Sequence, residues 1–138
     1  MSQENVEIVS RMFESFSPLR TEEIQAILDE FIHPDVDWRA VEGAVDDVGG
    51  MRGTEAIHHY MVDWLDTFDD LTMTPDEIIE VDVERVLVCQ RLSGRAKQSG
   101  IDTQLSFAVV YTIRDGRVVR AREYATREEA VKASGLSE

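Results

Sequence analysis

Arg91 is the residue whose setting first suggests chemistry. It lies in the segment 87–95, LVCQRLSGR, whose alternation is typical of a β-strand. One face of that strand would carry Leu87, Cys89, Arg91, Ser93 and Arg95. A guanidinium on a buried face is costly without an anion, and a charge-assisted hydrogen bond to a carboxylate offsets much of that cost. The segment therefore raises the question of which carboxylate Arg91 faces.

The three histidines and the single cysteine give weaker signals of a site. His58 and His59 are adjacent on a predicted helix and point in different directions, and His33 belongs to an HPD turn. We therefore predict no metal site. Cys89 lies inside an apolar strand, where a thiol packs more often than it reacts, and one cysteine cannot form an internal disulfide.

The charge of the chain narrows its class of partner. The 138 residues include 28 acidic and 14 basic side chains, a net charge of −14, which repels the phosphates of nucleic acids. No apolar run approaches the ~20 residues of a membrane-spanning helix, and the first residues lack a signal-peptide pattern. We expect a cytoplasmic protein that binds neither nucleic acid nor membrane. No glycine-rich phosphate loop is present, so we predict no cofactor.

Hydrophobic periodicity predicts helices first and strands afterwards. Apolar residues three and four apart predict helices over 6–16, 21–31 and 54–68, the last two capped by Thr21 and Thr54. Alternation predicts strands over 36–41, 71–82, 85–95, 102–113 and 117–125. The tetrapeptide RDGR is expected to form a hairpin turn. Residues 42–53 predict a loop that could be a lid.

The end of the chain and the order of elements define the fold class. Thr126 and Glu129 fit a capping box for a last helix that ends at Gly135. Helices followed by hairpin-linked strands indicate one α+β domain over 1–138, with an antiparallel sheet covered on one face by helices. The face of strand 102–113 expected to meet the helices carries Leu105, Phe107, Val109, Tyr111 and Ile113. The small residues Ser106, Ala108 and Val110 on its other face suggest a homodimer surface.

Four stretches carry a resemblance that covers nearly the whole chain. They are IVSRMFESF (8–16), FIHPDVDWRA (31–40), MRGTEAIHHYMVDWL (51–65) and YTIRDGRVVRAREYATREEAVKASGL (111–136). Together they resemble SnoaL-like members of the nuclear transport factor 2-like superfamily. The resemblance implies a cone in which a curved, mostly antiparallel sheet and the helices enclose a pocket for a small hydrophobic molecule.

An alignment of the hairpin IRDGRV with its counterpart in the family implies which side chains line that pocket. It turns Arg91 inward on strand 85–95 and Glu123 inward on strand 117–125, so the two are expected to pair. The same alignment, with the position of Trp38 on the first strand and the four-residue spacing of Tyr60 and Trp64, implies the contacts with a substrate. These residues are Trp38, Tyr60, Trp64, Cys89, Phe107 and Tyr111.

The expected pair has two interpretations. In one, Arg91 and Glu123 form an ion pair that orders the wide end of the cone. In the other they are catalytic: Glu123 takes a proton from carbon or water, and Arg91 stabilises the resulting anion. A carboxylate beside a guanidinium is a weak base unless a substrate displaces that contact. The pair alone therefore leaves both roles open.

The family includes cyclases, isomerases, dehydratases and epoxide hydrolases as well as non-enzymes, so the fold does not name a reaction. Steroid-type isomerisation is not expected, because the positions of its two acids and its tyrosine hold Ala40, Val109 and Met12. We predict a lyase, isomerase, cyclase or hydrolase that uses cofactor-free acid–base chemistry. The alternative is a non-catalytic, dimeric module that binds a ligand or another protein.

Overall fold

The described part of the chain forms four α-helices and one six-stranded sheet. The structure is a computed structural model that describes residues 2–16, 18–40 and 50–136. The helices are α1 (Ser2–Glu14), α2 (Ile24–Phe31), α3 (Thr54–Thr67) and α4 (Arg127–Ala133), and a short 3₁₀ helix (Thr21–Glu23) precedes α2. The strands are β1 (Ile32–Arg39), β2 (Gly50–Arg52), β3 (Phe68–Glu80), β4 (Arg85–Ala96), β5 (Asp102–Arg114) and β6 (Arg117–Tyr124).

The sheet is mixed but mostly antiparallel. Its strands lie in the order β2-β1-β6-β5-β4-β3. Strands β3 to β6 pair with their chain neighbours in antiparallel fashion, whereas β1 pairs with β6 in parallel. Helices α1, α2 and α3 pack on the concave face of this sheet and α4 packs on the other face, so the predicted α+β cone is confirmed.

The β5–β6 hairpin sets the register of the two strands that matter most for the site. Asp115 and Gly116 have φ angles of 52° and 80°, the left-handed backbone of a two-residue hairpin turn. The resulting register puts Glu123 opposite Val109 and Ala121 opposite Tyr111. Because residues opposite each other in an antiparallel pair share a face, Glu123 lies on the same face as Tyr111.

The predicted helix ends are observed for α4, whereas the predicted caps of α2 and α3 are not. The Thr126 side chain accepts a hydrogen bond from the Glu129 amide at 3.2 Å, and Gly135 has a φ of 82°. Thr21 begins the 3₁₀ helix and caps neither helix with its side chain. Thr54 is the first residue of α3, because Gly53, with a φ of 85°, takes the cap position. The caps predicted at Thr21 and Thr54 were therefore wrong.

The main core lies between the helices and the concave face of the sheet. The apolar stripes of α1 and α2 are buried there, as the helical spacing predicted. The inner face of β5 also matches its prediction: Val109, Tyr111 and Ile113 are buried in this core, and Phe107 packs against it. Burial of each such side chain contributes roughly 1.5–3 kcal/mol.

The inner face of β4 was predicted wrongly. Gln90 lies opposite Phe107, and Arg91 lies opposite Ser106. Since Phe107 faces the helices, the inward residues of β4 are Val86, Val88, Gln90 and Leu92. The predicted set of Leu87, Cys89, Arg91, Ser93 and Arg95 lies on the outer face. This shift by one residue exchanges the two faces of the whole strand.

The outer face of the sheet is partly covered by α4. Ala130 and Val131 of that helix pack with Leu87, Ala108 and Val110 in a second, smaller core. Ala108 and Val110 are 1% and 7% exposed, so they are not the free dimer surface that their size suggested.

Most of the loop predicted as a lid lies outside the described residues, which resume at residue 50 with β2. In the parts of the chain that are described, no helix has the length and apolar composition needed to cross a bilayer.

Candidate functional site

A cavity of about 250 Å³ lies between the concave face of the sheet and the helices. Most of its wall is apolar, because α3 and the inner faces of β3, β4 and β5 meet there. The lining residues are Phe16, Leu19, Trp38, Ile57, Tyr60, Met61, Trp64, Leu71, Thr72, Met73, Gln90, Leu92, Leu105, Ser106, Phe107, Tyr111, Glu123 and Ala125.

Glu123 is the one carboxylate among the described residues that line the cavity. Its Oε2 accepts a hydrogen bond from the Trp38 indole N–H at 2.7 Å. Two strand pairings create this contact: β6 lies beside β5, and β1 lies on the other side of β6 with Trp38 opposite Ala121. The indole thereby orients the carboxylate in a mostly apolar wall.

Tyr111 forms the buried polar end of the cavity with Gln90. Its hydroxyl donates to Gln90 Oε1 at 2.9 Å, and the Gln90 amide Nε2 approaches Met73 Sδ at 3.3 Å. Burial, together with the negative charge of Glu123, raises the pKa of Tyr111 far above its ordinary value, although the bond to Gln90 opposes that shift. The phenol therefore stays protonated and remains a hydrogen-bond donor.

Aromatic rings hold the walls in place. Trp38 and Tyr111 meet edge to face with centroids 5.8 Å apart, and Tyr60 and Trp64 do so at 6.1 Å. Trp64 also stacks on Phe68 at 5.5 Å. Such pairs add to the energy of burial and restrict ring rotation, so the cavity has a defined shape.

Comparison with known proteins identifies the family. Residues 9–121 match the SnoaL-like domain family. The chain belongs to that family. No curated protein matches it in sequence.

Solved structures similar to this SnoaL-like domain share its fold at low sequence identity. TerC co-crystallised with polyporic acid is 23% identical with a TM-score of 0.71, over 95% of this chain and 98% of TerC. An NTF2-like protein of unknown function from Burkholderia pseudomallei is 21% identical with a TM-score of 0.72, over 96% and 98%. A putative SnoaL-like polyketide cyclase from Jannaschia is 19% identical with a TM-score of 0.70, over 99% and 94%.

The pair predicted between Arg91 and Glu123 does not form in this SnoaL-like domain. Arg91 lies on the outer face of β4, where its Nη2 is 3.1 Å from Asp76 Oδ1 on β3. Its Nε is buried with no hydrogen-bond partner in the structure. Glu123 lies on the inner face and lines the cavity, so the sheet separates the two charges. Arg91 is therefore not positioned to stabilise an anion in the cavity.

Cys89 also lies on the outer face and does not line the cavity. It packs at the edge of the second core, near Glu77 and the α4 helix. Burial, with the negative charge of Glu77, raises the pKa of its thiol. The other five residues predicted to contact a substrate, Trp38, Tyr60, Trp64, Phe107 and Tyr111, all line the cavity.

Gln90 is the buried polar cavity residue that sequence reasoning missed. It is 3% exposed. Its side chain accepts the hydrogen bond from Tyr111 through its oxygen and contacts Met73 through its nitrogen. One signal was available in the alternation of β4: the face with Val86, Val88 and Leu92 has one uncharged polar residue, whereas the other has Arg91 and Arg95. An apolar cavity favours the uncharged face.

Asp37 belongs to a second contact between β1 and β6. Its side chain is 19% exposed, and its Oδ2 is 3.1 Å from Arg122 Nη2 and 3.7 Å from Arg52 Nη2. Burial alone would raise the pKa of Asp37. The hydrogen bond and charge of Arg122, with the charges of Arg52 and Arg39, outweigh it and lower the pKa below its ordinary value.

No group of three or more side chains that could hold a metal occurs in the part of the chain that the structure describes. His33 has a local role instead, since its Nδ1 accepts a hydrogen bond from the Asp35 amide at 3.0 Å. The chemistry available to the cavity from its described wall is that of a carboxylate, neutral hydrogen-bond donors and aromatic surface.

Proposed function

We propose that the chain, residues 1–138, acts as one SnoaL-like domain that binds a small, largely apolar molecule and moves a proton on it with Glu123. One observation carries this proposal: among the described residues, one carboxylate, oriented by an indole N–H at 2.7 Å, lines a mostly apolar cavity. The volume of about 250 Å³ lies just below the range of roughly 300–1,000 Å³ that is typical of small-molecule pockets. Apolar cavities of about 150 Å³ already hold benzene.

Glu123 supplies the acid–base chemistry in this proposal. As a carboxylate it takes a proton from an acidic carbon or from water, and as a carboxylic acid it returns the proton elsewhere on the ligand. The mostly apolar wall lowers the local dielectric constant, which strengthens the interaction between the carboxylate and the reacting proton. Arg91 takes no part, because it lies on the other face of the sheet. Lyase, isomerase, cyclase and hydrolase reactions all fit one such proton transfer.

The similar structures add support of a general kind. TerC, which shares the fold, was co-crystallised with polyporic acid, and a protein of similar fold from Catenulispora acidiphila was solved in complex with trimethylamine. Both are about one fifth identical to this chain, with identities of 23% and 17%. They support the choice of a small molecule as ligand and leave its identity open.

Binding is tested with 2-tetralone, a small ketone that is mostly apolar, by following tryptophan fluorescence. Trp38 and Trp64 line the cavity, so bound ketone should quench their emission in a saturable way. Ala125→Trp places a large ring at an exposed position of the cavity wall and should abolish binding. Gln98→Trp, in the exposed turn after β4, is the matched control. Quenching that survives in Ala125→Trp would place the ligand elsewhere and contradict the proposal.

The second candidate is a binding module without catalysis. It is favoured by the contact between Trp38 and Glu123, which joins β1 to β6 and gives the carboxylate a structural use. Such a module would bind the ketone as the enzyme does but would not exchange its protons. A Glu123→Gln variant separates the two, because it keeps the shape of the side chain and removes the base.

We also propose a homodimer through the outer sheet face, with a smaller contact surface than the sequence predicted. Because α4 covers Ala108 and Val110, the surface would be the uncovered part of β4 and β5 around Ser93, Gln104 and Ser106. Light scattering over a range of concentrations tests it, and a constant monomer mass would remove it. The cytoplasmic location likewise stays a prediction from the sequence.

A further inference from the structure

The two ends of the Gln90 side-chain amide have very different partners. Its oxygen accepts a hydrogen bond from the Tyr111 hydroxyl at 2.9 Å, whereas its nitrogen faces the Met73 thioether at 3.3 Å. A thioether sulfur is a weak acceptor, so this amide N–H is poorly matched for a group that is 3% exposed. Gln90 also lines the cavity, which places this donor next to any ligand there.

The neighbours fix which end of the amide is the nitrogen. Tyr111 is fully buried and keeps its proton, and the Gln90 oxygen at 2.9 Å is the acceptor that this proton has in the structure. Met73 sulfur has no proton to donate, so it favours the amide nitrogen over the oxygen. The two contacts agree: if the amide ends were exchanged, the Tyr111 proton would lose its acceptor and the oxygen would face a sulfur that has no proton to donate. The Gln90 amide nitrogen is therefore a hydrogen-bond donor that a ligand in the cavity can reach.

Glu123 supplies the complementary group on the same wall. Gln90 lies opposite Phe107 on one side of β5, and Glu123 lies opposite Val109 on the other side. The donor and the carboxylate thus flank β5 two residues out of register, with Tyr111 on the same face. A ligand that fills the cavity would meet a neutral donor at one point and an anionic acceptor at the other.

We propose that Gln90 determines specificity, because its amide N–H selects apolar ligands that carry one acceptor oxygen, such as ketones and lactones. The ligand oxygen replaces Met73 sulfur as the partner of Gln90. The weak contact between the amide and the sulfur is thereby exchanged for a stronger hydrogen bond between the amide and the ligand. A hydrocarbon of the same shape leaves the amide facing the thioether and forms no hydrogen bond with Gln90. This inference rests on the proposed function, since it requires the cavity to bind the ligand.

The test compares two probes that differ by one carbonyl group, 2-tetralone and tetralin. Gln90→Met keeps a long unbranched side chain and removes the amide donor together with the acceptor of the Tyr111 hydroxyl, so its result is read together with that of Met73→Leu, which keeps the acceptor. Gln90→Met should weaken 2-tetralone binding on the order of tenfold, the effect of one neutral hydrogen bond, and leave tetralin binding within about twofold. Calorimetric titration gives both dissociation constants, and Gln98→Met in the exposed turn after β4 is the matched control.

Met73→Leu provides a second variant that keeps Gln90 and Tyr111 in place. It removes the competing sulfur, so 2-tetralone should bind more tightly relative to tetralin than it does in the wild type. The infrared carbonyl stretch of bound 2-tetralone should also be lower in the wild type than in Gln90→Met. This stretch reports the hydrogen bond to the ligand directly.

The outcomes separate the inference from the proposed function. If neither probe binds the wild type, both fail. If both bind and their affinity ratio is the same in wild type and Gln90→Met, the role of Gln90 is wrong and the binding cavity stands. Should Gln90→Met not fold, an unchanged ratio in Met73→Leu contradicts the inference in the same way.

Discussion

Trp38 and Glu123 join the first strand to the last, with the indole N–H donating to the carboxylate across 2.7 Å. On the other face of the same strands, Arg122 donates to the main-chain oxygen and the carboxylate of Asp37, each at 3.1 Å. Neighbouring residues in a strand point to opposite faces, so the two contacts fasten β1 to β6 from both sides. This is the one parallel pairing among the described strands.

Trp38→Phe tests the inner contact. Phenylalanine keeps an aromatic ring in the core but removes the donor to Glu123, and a hydrogen bond to a charged group is worth roughly 1.5–3 kcal/mol. Urea unfolding should show a loss in that range. Trp64→Phe is the control, because its ring packs on Tyr60 and Phe68 and no such bond to a carboxylate is at stake. Equal losses in the two variants would mean that ring size, and not the hydrogen bond, sets the effect.

Asp37→Asn tests the outer contact through its pH dependence. The pKa of folded Asp37 lies below its ordinary value of 3.8, so the charged group adds stability above that pH. The contribution is lost as pH falls through the lowered pKa. Asp37→Asn should therefore be less stable than the wild type at pH 7, by roughly 1 kcal/mol, and the difference should shrink as pH falls below 3.8 and through the lowered pKa.

Urea unfolding of both proteins at several pH values measures this difference. Asp35→Asn, two residues away with an exposed side chain, serves as the control and should change little at any pH. A gap between wild type and Asp37→Asn that does not shrink as pH falls below 3.8 would rule out the electrostatic origin.

Thr126→Ala removes the side-chain acceptor for the Glu129 amide at the start of α4. The loss of such a cap costs about 1 kcal/mol, and the thermal midpoint should fall accordingly. Thr21→Ala is a matched control, because Thr21 precedes α2 without a capping bond. The account of the helix ends fails if Thr21→Ala destabilises as much as Thr126→Ala.

Arg91 and Glu123 should be energetically independent. A double-mutant cycle of Arg91→Leu and Glu123→Gln should give a coupling energy within about 0.5 kcal/mol of zero, since the sheet separates the two side chains. The corresponding cycle of Arg91→Leu with Asp76→Asn should give a small positive coupling, up to about 1 kcal/mol, because both partners are partly exposed. A coupling of several kcal/mol between Arg91 and Glu123 would restore the pair predicted from the sequence.

The order of the elements and the inner face of β5 followed from periodicity because both depend on local patterns. Helical spacing persists over several turns, and the turn at Asp115 and Gly116 has a strong sequence signal. With that turn fixed, the register placed Glu123 on the same face as Tyr111.

The face of β4 could not be read in the same way because this strand is covered on both sides. Val86 and Val88 pack toward α1 and α2, whereas Leu87 packs under α4. Both faces therefore carry apolar residues, and the alternation that marks a half-exposed strand is weak. The sequence prediction therefore assigned Arg91 and Cys89 to the cavity and did not assign Gln90 to it. Only the pairing with β5, a long-range contact, decides between the two faces.

The most direct test of the account is the exchange of the α protons of 2-tetralone for deuterium in D₂O, followed by proton NMR. The wild type should accelerate exchange above the buffer rate, because Glu123 in the apolar cavity takes up the α proton. Glu123→Gln should bind the ketone and lose at least tenfold of that acceleration, whereas Glu80→Gln, an exposed carboxylate on β3, should retain it. Acceleration that is the same in Glu123→Gln and in the wild type would contradict Glu123 as the group that moves the proton.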